Sequence, residues 1–344
     1  MDDHRATGAS PTRPIFIRAA VSDRMSELPL RVAGGVWRLN DKGECELKLA
    51  IHAGLHKTAS SSFQFLCRAF EDKLLVEGIC YPKYDRGENF SYLANALQRG
   101  KTDELEFVLR QAASEVSETD TVLISGEDFE NCLIDHDLAR ALEDVAYRLG
   151  FDQLEWFFVY RNPLDYLKSI YGEMSKHNVC LNIEDVAGEI FENGYFCVEN
   201  ENYRYKFVFD FFQFFDSFSA VTNNNCEAIE YENFCAPFPG HEMLRRISLS
   251  EDYLNHIKRS EISKRKFNTR LTIEETEIRY ALNALGIPFS QENWHENKSK
   301  LMPLVNGRID SYNNLIPQIG EKFANLFDNG RAPGAANPKN VRKR

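Results

Sequence analysis

No C-x-x-C pair occurs among the eight cysteines of this 344-residue chain, which stand at positions 45, 67, 80, 132, 180, 197, 226 and 235. That spacing argues against a disulfide framework or a zinc knuckle, and it reads as reduced, mostly buried thiols. Positive charge is in short supply: 41 Lys and Arg face 52 Asp and Glu, a net charge of −11. General binding to DNA or RNA needs a basic face that neutralises phosphates, so no nucleic-acid partner is expected, while a local basic pocket stays open. No stretch approaches the ~20 apolar residues of a membrane-spanning helix. The first 30 residues carry Asp2, Asp3, His4, Arg5, Arg13, Arg18, Asp23 and Arg24, so the apolar run of a signal peptide is missing too. The expectation is a cytoplasmic protein. What is present is 43% hydrophobic and 27% charged residues, the profile of a globular chain long enough for two domains or one large α/β unit.

Hydrophobic patterning points to the α/β unit. Residues 1–45 read as a polar extension carrying a β-hairpin arm: Gly35-Val36-Trp37-Arg38-Leu39, a turn at Asn40–Gly43, then a second strand in which Leu47, Leu49 and Ile51 alternate with Lys48, Ala50 and His52. That second strand runs into the small-residue segment 53–62, after which Phe63, Leu66, Ala69 and Phe70 fall at helical spacing. The alternation continues with a helix in 103–117, a strand at Thr121–Ser125, a helix in 137–149 and a strand at Leu154–Tyr160 too apolar to be half-exposed. Pro163 suits the first turn of a helix, Ala228–Tyr231 a further strand and Thr272–Leu285 a late helix. The predicted fold is α/β, a three-layer sandwich around a mainly parallel sheet spanning 46–330, with a disordered basic tail at 331–344. Eleven aromatics between Tyr195 and Phe218 read as core rather than as a ligand platform.

The loop between the first core strand and its helix carries the chemistry. A loop that leaves a strand and opens a helix offers unpaired backbone N–H groups and the positive helix end to an anion. Segment 54–62 has that form: Gly54 opens it, Lys57 adds a full charge, and Thr58, Ser60, Ser61 and Ser62 add hydroxyls that would otherwise serve as caps. The nucleoside triphosphatase version requires Gly before the lysine, where His56 stands.

Lys57-Thr58-Ala59-Ser60-Ser61 resembles instead the 5′-phosphosulfate loop, roughly K-[ST]-G-[ST]-[ST], of sulfotransferases that use 3′-phosphoadenosine 5′-phosphosulfate (PAPS). Ala59 takes the place of the usual glycine, and a positive φ there would cost alanine ~1 kcal/mol or more. Trp156–Arg161 followed by Ser169 resembles the family's 3′-phosphate motif, a strand ending in Arg with Ser eight residues on. A buried guanidinium needs a counter-ion, and without a phosphate that partner would be Asp165. Glu230-Tyr231-Glu232-Asn233 resembles the family's strand-end Y-E-[DN] segment, whose tyrosine lies near the nucleotide in several members, and Arg265–Leu271, with Lys266 and Asn268, loosely resembles the bacterial N-x-[ST]-L segment, which would place it to close over the cofactor.

The resemblance implies sulfuryl transfer from PAPS, with no metal, to a hydroxyl, or less readily an amine, of a glycan, glycolipid or small-molecule acceptor. It implies that Lys57 is the electrophilic catalyst, that Gly54, Thr58, Ala59 and Ser60–Ser62 cradle the 5′-phosphate, and that Arg161 and Ser169 hold the 3′-phosphate. Where cytosolic relatives carry a basic histidine this chain reads Ser125-Gly126-Glu127, which makes Glu127 the candidate base, with His52 and His56 as alternatives. Two other readings remain: a nucleotide-sugar glycosyltransferase, from the D-x-D form of Asp135-His136-Asp137, with Asp137 alternatively an N-cap, and an inactive binding module, from Ala59.

Overall fold

The computed structural model describes residues 31–32, 35–36, 47–83, 89–116, 121–177, 179–199, 204–264 and 271–328. Two short strands, β1 (Arg31–Val32) and β2 (Gly35–Val36), pair antiparallel ahead of the main sheet. The main sheet has five parallel strands: β3 (Lys48–His52), β4 (Ile79–Cys80), β5 (Thr121–Ser125), β6 (Gln153–Tyr160) and, after the antiparallel pair β7 (Tyr195–Glu199) and β8 (Arg204–Val208), β9 (Asn225–Glu230). Their order across the sheet is β4-β5-β3-β6-β9. Both edges of β3 are taken, with Lys48 opposite Thr121 on one side and Gln153 on the other. The expected hairpin with 35–39 is therefore not formed. Gly35–Val36 pairs with Arg31–Val32, and residues 37–46 and 331–344 lie outside the described residues.

Helices fill the crossovers. α1 (Ser60–Ala69) and α2 (Glu71–Val76) follow β3, α3 (Ser91–Gln98) and α4 (Asp103–Glu115) follow β4, and a 3-10 turn (Glu127–Leu133) and α5 (His136–Arg148) follow β5. After β6 come α6 (Pro163–Met174) and α7 (Ile183–Asn193), and α8 (Phe211–Val221) leads into β9. Beyond β9 lie α9 (Tyr231–Cys235), α10 (His241–Arg246), α11 (Glu251–Arg259), α12 (Ile273–Ala284) and α13 (Gln291–Asp328). Tyr231, expected to end a strand, thus begins a helix. Helices on both faces of the parallel sheet make the three-layer sandwich.

Burial explains the order. Leu49, Ile51, Val122, Leu123, Ile124 and Trp156 to Val159 are all essentially inaccessible, as the uninterrupted apolar runs of central parallel strands require. The aromatic run at 195–218 is mainly core, with Phe218 packed edge-on against Trp156 and Phe158 at ring separations of 5.3 and 5.1 Å. Among the seven described cysteines only Cys67, Cys80 and Cys132 are fully buried, fewer than expected. No helix of the described residues is long and apolar enough to cross a membrane.

From β3 the chain runs out to β4 and back to β5 on one side, whereas from β6 it proceeds to β9 on the other. The direction of winding reverses between β3 and β6. Open α/β sheets bind ligands in the crevice beyond the carboxyl ends of the strands at such a reversal, and here the loops carrying Lys57 and Arg161 leave those two strands.

Candidate functional site

The loop after β3 begins as a continuation of the sheet: the N–H groups of Ala53 and Leu55 donate to Phe157 O and Val159 O at 2.8 and 3.0 Å. It then tightens. Lys57 and Ala59 both take the left-handed conformation, at φ 62° and 66°, so position 59 does require positive φ, at a cost of ~1 kcal/mol or more for a side chain with a Cβ. Ala59 is the N-cap of α1 and no side chain caps that helix start. The first N–H groups of a helix have no partner within it. Ser60 is buried and its Oγ finds no hydrogen-bond partner among the described residues. The loop thus combines backbone strain with an unmet buried hydroxyl, features that concentrate at ligand clamps.

Behind the loop sits a dense ionic cluster. The His56 backbone N–H and Nδ1 both meet Glu130 Oε2, at 3.0 and 2.9 Å, and Nε2 meets Asp128 Oδ1 at 2.9 Å. Burial alone would lower the His56 pKa, but hydrogen bonds and attraction from the two carboxylates raise it well above the ordinary value. His56 is an imidazolium whose two N–H groups are committed. With both ring nitrogens donating it has no lone pair with which to act as a base, and it anchors the loop. Glu130 is fully buried and also accepts from Tyr166 Oη at 2.9 Å and from Val208 N–H. Asn95 donates to the second oxygen of Asp128 at 3.1 Å.

The outer face of the loop opens on a cleft of about 1980 Å³, well above the ~300–1,000 Å³ of a single small-molecule site. His56, Lys57, Ala59, Ser60, Ser61, Ser62, Glu127, Arg161, Ser169 and Tyr231 all line it. Gly54 and Thr58 do not: Gly54 is buried behind the wall, and the fully buried Thr58 hydroxyl donates to the Leu55 carbonyl, so it is not the ligand donor expected. Lys266 and Asn268 lie outside the described residues.

The loops that carry the two cations meet. Arg161 Nη1 donates to the backbone carbonyl of Lys57 at 3.2 Å, and its guanidinium lies over the Tyr231 ring, 4.4 Å from the centroid. Asn162 caps α6 by accepting from the Leu164 and Asp165 N–H groups, with Pro163 in the first turn, so the chain turns into the helix that carries Ser169. Lys57 Nζ donates to Glu173 at 3.1 Å, one helical turn beyond Ser169. Hydrogen bonds from His177, Lys176 and Lys57 hold the Glu173 carboxyl far below its ordinary range.

Glu127 stands at the rim, where Ser61 Oγ faces its Oε1 at 3.5 Å. Burial raises its pKa, opposed by His56 and Lys57. His52 is buried with its pKa depressed to about 3 by desolvation, which removes it as a base facing an acceptor. The D-x-D residues lie away from the cleft lining: Asp137 pairs with Arg140, Asp135 is the α5 N-cap by backbone only, and the expected capping role of Asp137 is not taken up.

Sequence reasoning missed Asp128, Glu130, Tyr166 and Glu173. The acidic run Glu127-Asp128-x-Glu130 directly after a buried strand was the available signal, since carboxylates so close to a core strand need cationic or N–H partners. No family model matches the chain, and neither a curated protein nor a solved structure does.

Proposed function

We propose that this protein is a PAPS-dependent sulfotransferase acting on a hydroxyl of a small-molecule or glycan acceptor. The observation that carries this reading is the junction of two cation-bearing loops from adjacent parallel strands, where Arg161 Nη1 donates to the Lys57 backbone carbonyl at 3.2 Å beside a strained helix start that no side chain caps. A nucleotide bearing phosphates at both ends matches that spread of charge. The orphaned Ser60 hydroxyl and the free N–H groups of α1 suit a 5′-phosphate. Arg161 suits the 3′-phosphate through its fork of donors, Ser169 lies on the same cleft wall, and Tyr231 braces the guanidinium from its face.

PAPS supplies the activated sulfuryl group. As its S–O bond breaks, charge grows on the oxygen left on the phosphate, and the Lys57 ammonium stabilises that charge more in the transition state than in the ground state. Glu173 tethers this ammonium along the cleft wall. Glu127 takes the proton of the attacking hydroxyl, and the upward push of burial on its carboxyl makes it a stronger base than an exposed glutamate. The cleft is large enough for donor and acceptor together, and the net charge of −11 favours a neutral or modestly charged acceptor. Free thiols at all seven described cysteines suit a reducing, cytoplasmic setting.

Calorimetry with adenosine 3′,5′-bisphosphate and adenosine 5′-phosphate tests the donor. The bisphosphate binds more tightly to wild type, and Arg161→Ala removes the preference; equal binding of the two nucleotides by wild type overturns the reading. In a labelled-sulfate assay Glu127→Gln abolishes turnover while the bisphosphate still binds, and retained turnover removes Glu127 from the role of base.

A further inference from the structure

Beneath the loop, a second polar chain runs through the core without touching the His56 cluster. Gln64 Nε2 approaches Ser125 O at 3.4 Å and Ser125 Oγ at 3.2 Å, and Ser125 Oγ lies 2.7 Å from His52 Nδ1. All three side chains are buried, His52 and Ser125 completely. At the far end His52 Nε2 has no hydrogen-bond partner among the described residues, and neither has Ser60 Oγ. These two unmet atoms face the same spot. A Cβ built on Gly54 would lie 2.8 Å from His52 Nε2 and 2.9 Å from Ser60 Oγ.

Hydrogen-bond chemistry gives this chain a direction. A backbone carbonyl only accepts, so the Gln64 atom facing Ser125 O is the amide nitrogen, and the same nitrogen donates to Ser125 Oγ. The Ser125 proton is then left for His52 Nδ1, the ring nitrogen 2.7 Å away. A proton on Nδ1 would strand the hydroxyl hydrogen in the core, which buried polar groups avoid. His52 is neutral, since burial pushes its pKa down to about 3, so its single ring proton sits on Nε2. The stacked Phe234 ring at 5.1 Å and the edge-on Phe63 ring at 5.0 Å hold the imidazole in that plane.

We propose that His52 is a positioning residue for the anion site: its Nε2–H donates to Ser60 Oγ when an anion enters the cleft, which leaves the Ser60 hydroxyl proton to the anion. The relay then reads Gln64 to Ser125 to His52 to Ser60 to ligand, each group donating to the next. Gly54 is small because any side chain there would stand between His52 and Ser60. The inference rests on the sulfotransferase reading only for the identity of the anion, the nucleotide 5′-phosphate; the tautomer and the Gln64–Ser125–His52 chain follow from the protein alone.

The test has two arms on the full chain. In the first, ¹⁵N NMR of histidine-labelled protein, with His52 assigned by the loss of its signals in His52→Gln, reports the ring without ligand. A neutral ring protonated at Nε2 is expected from pH 5 to 8, with Ser125→Ala releasing the tautomer lock; an Nδ1-protonated ring overturns the proposal. In the second, affinity for adenosine 3′,5′-bisphosphate is measured for His52→Leu, His52→Gln, Ser60→Ala and the double variant His52→Leu/Ser60→Ala. His52→Leu is expected to weaken binding about 3- to 10-fold, His52→Gln to restore most of it through its amide N–H, and His52→Leu to cost nothing further once Ser60 is alanine. Fully additive losses overturn the proposal, because a purely structural role would not depend on Ser60. Should the bisphosphate fail to bind wild type, the donor assignment falls, and pyrophosphate serves as the probe in the same series. A pyrophosphate-induced shift of the Nε2–H signal that vanishes in Ser60→Ala supports the relay, and no shift on saturation overturns it.

Discussion

The lip of the loop and its root, a few residues apart, are built on opposite principles. At the root each member of the ionic cluster is met: His56 by Glu130 and Asp128, Glu130 by Tyr166 and the Val208 N–H, Asp128 by Asn95. At the lip Lys57 and Ala59 are held at positive φ, α1 lacks a side-chain cap and Ser60 Oγ is unmet. The difference teaches how a strained loop is held in place. A buried ion cluster tied to β8 and α6 holds the backbone where the loop's own residues would not choose to be, and the groups left over face the cleft.

Three substitutions separate the two regions. At the lip, Lys57→Met is expected to lower turnover on the order of 10²–10³-fold while moving the unfolding free energy by less than about 0.5 kcal/mol; a rate assay beside a denaturant melt checks both. A stability loss as large as the catalytic one would erase the distinction. At the root the pattern reverses. Glu130→Gln leaves a buried imidazolium with half its counter-charge and is expected to cost about 3 kcal/mol of stability. Because the folded-state pKa of His56 is raised, its contribution is fully present below the unfolded value of ~6.5 and is lost as pH rises through the folded value. The stability gap between wild type and Glu130→Gln should therefore be widest near pH 6 and narrow on the alkaline side, and a gap independent of pH would deny His56 its charge. The smallest effect is Ala59→Gly, expected to gain about 1 kcal/mol by relieving the left-handed alanine with nucleotide affinity retained.

Much of the sheet was legible from pattern alone. The run Leu154–Tyr160 is apolar at nearly every position, which fits a strand with covered faces, and it lies between β3 and β9. The helix at 103–117 and the strand at 121–125 lie within two residues of α4 and β5. The N-terminal hairpin was misread because local alternation suits a strand of any partnership, and β3 found its neighbours 73 and 105 residues away, Lys48 facing Thr121 and Gln153. The 38-residue α13 escaped notice because Pro303 and Pro317 lie inside it, and proline inside a helical pattern reads as a break. It is held through tertiary contacts, among them Arg308 against the buried Glu277.

At the site, the residue types near Lys57 and Arg161 were visible because a strand end, a small-residue loop and a helix start lie consecutively in the chain. Partnerships were not. Lys57 meets Glu173 at a separation of 116 residues and His56 meets Glu130 at 74, and no local pattern carries such distances. The amino-acid sequence by itself determined which segments would be buried strands and where a cationic loop would leave them, because periodicity and composition act over a few residues. Only the tertiary structure decided which carboxylate neutralises which cation, and so made His56 an anchor and left Glu127 at the rim, because charge pairing in a dry interior depends on distances that only the folded chain creates.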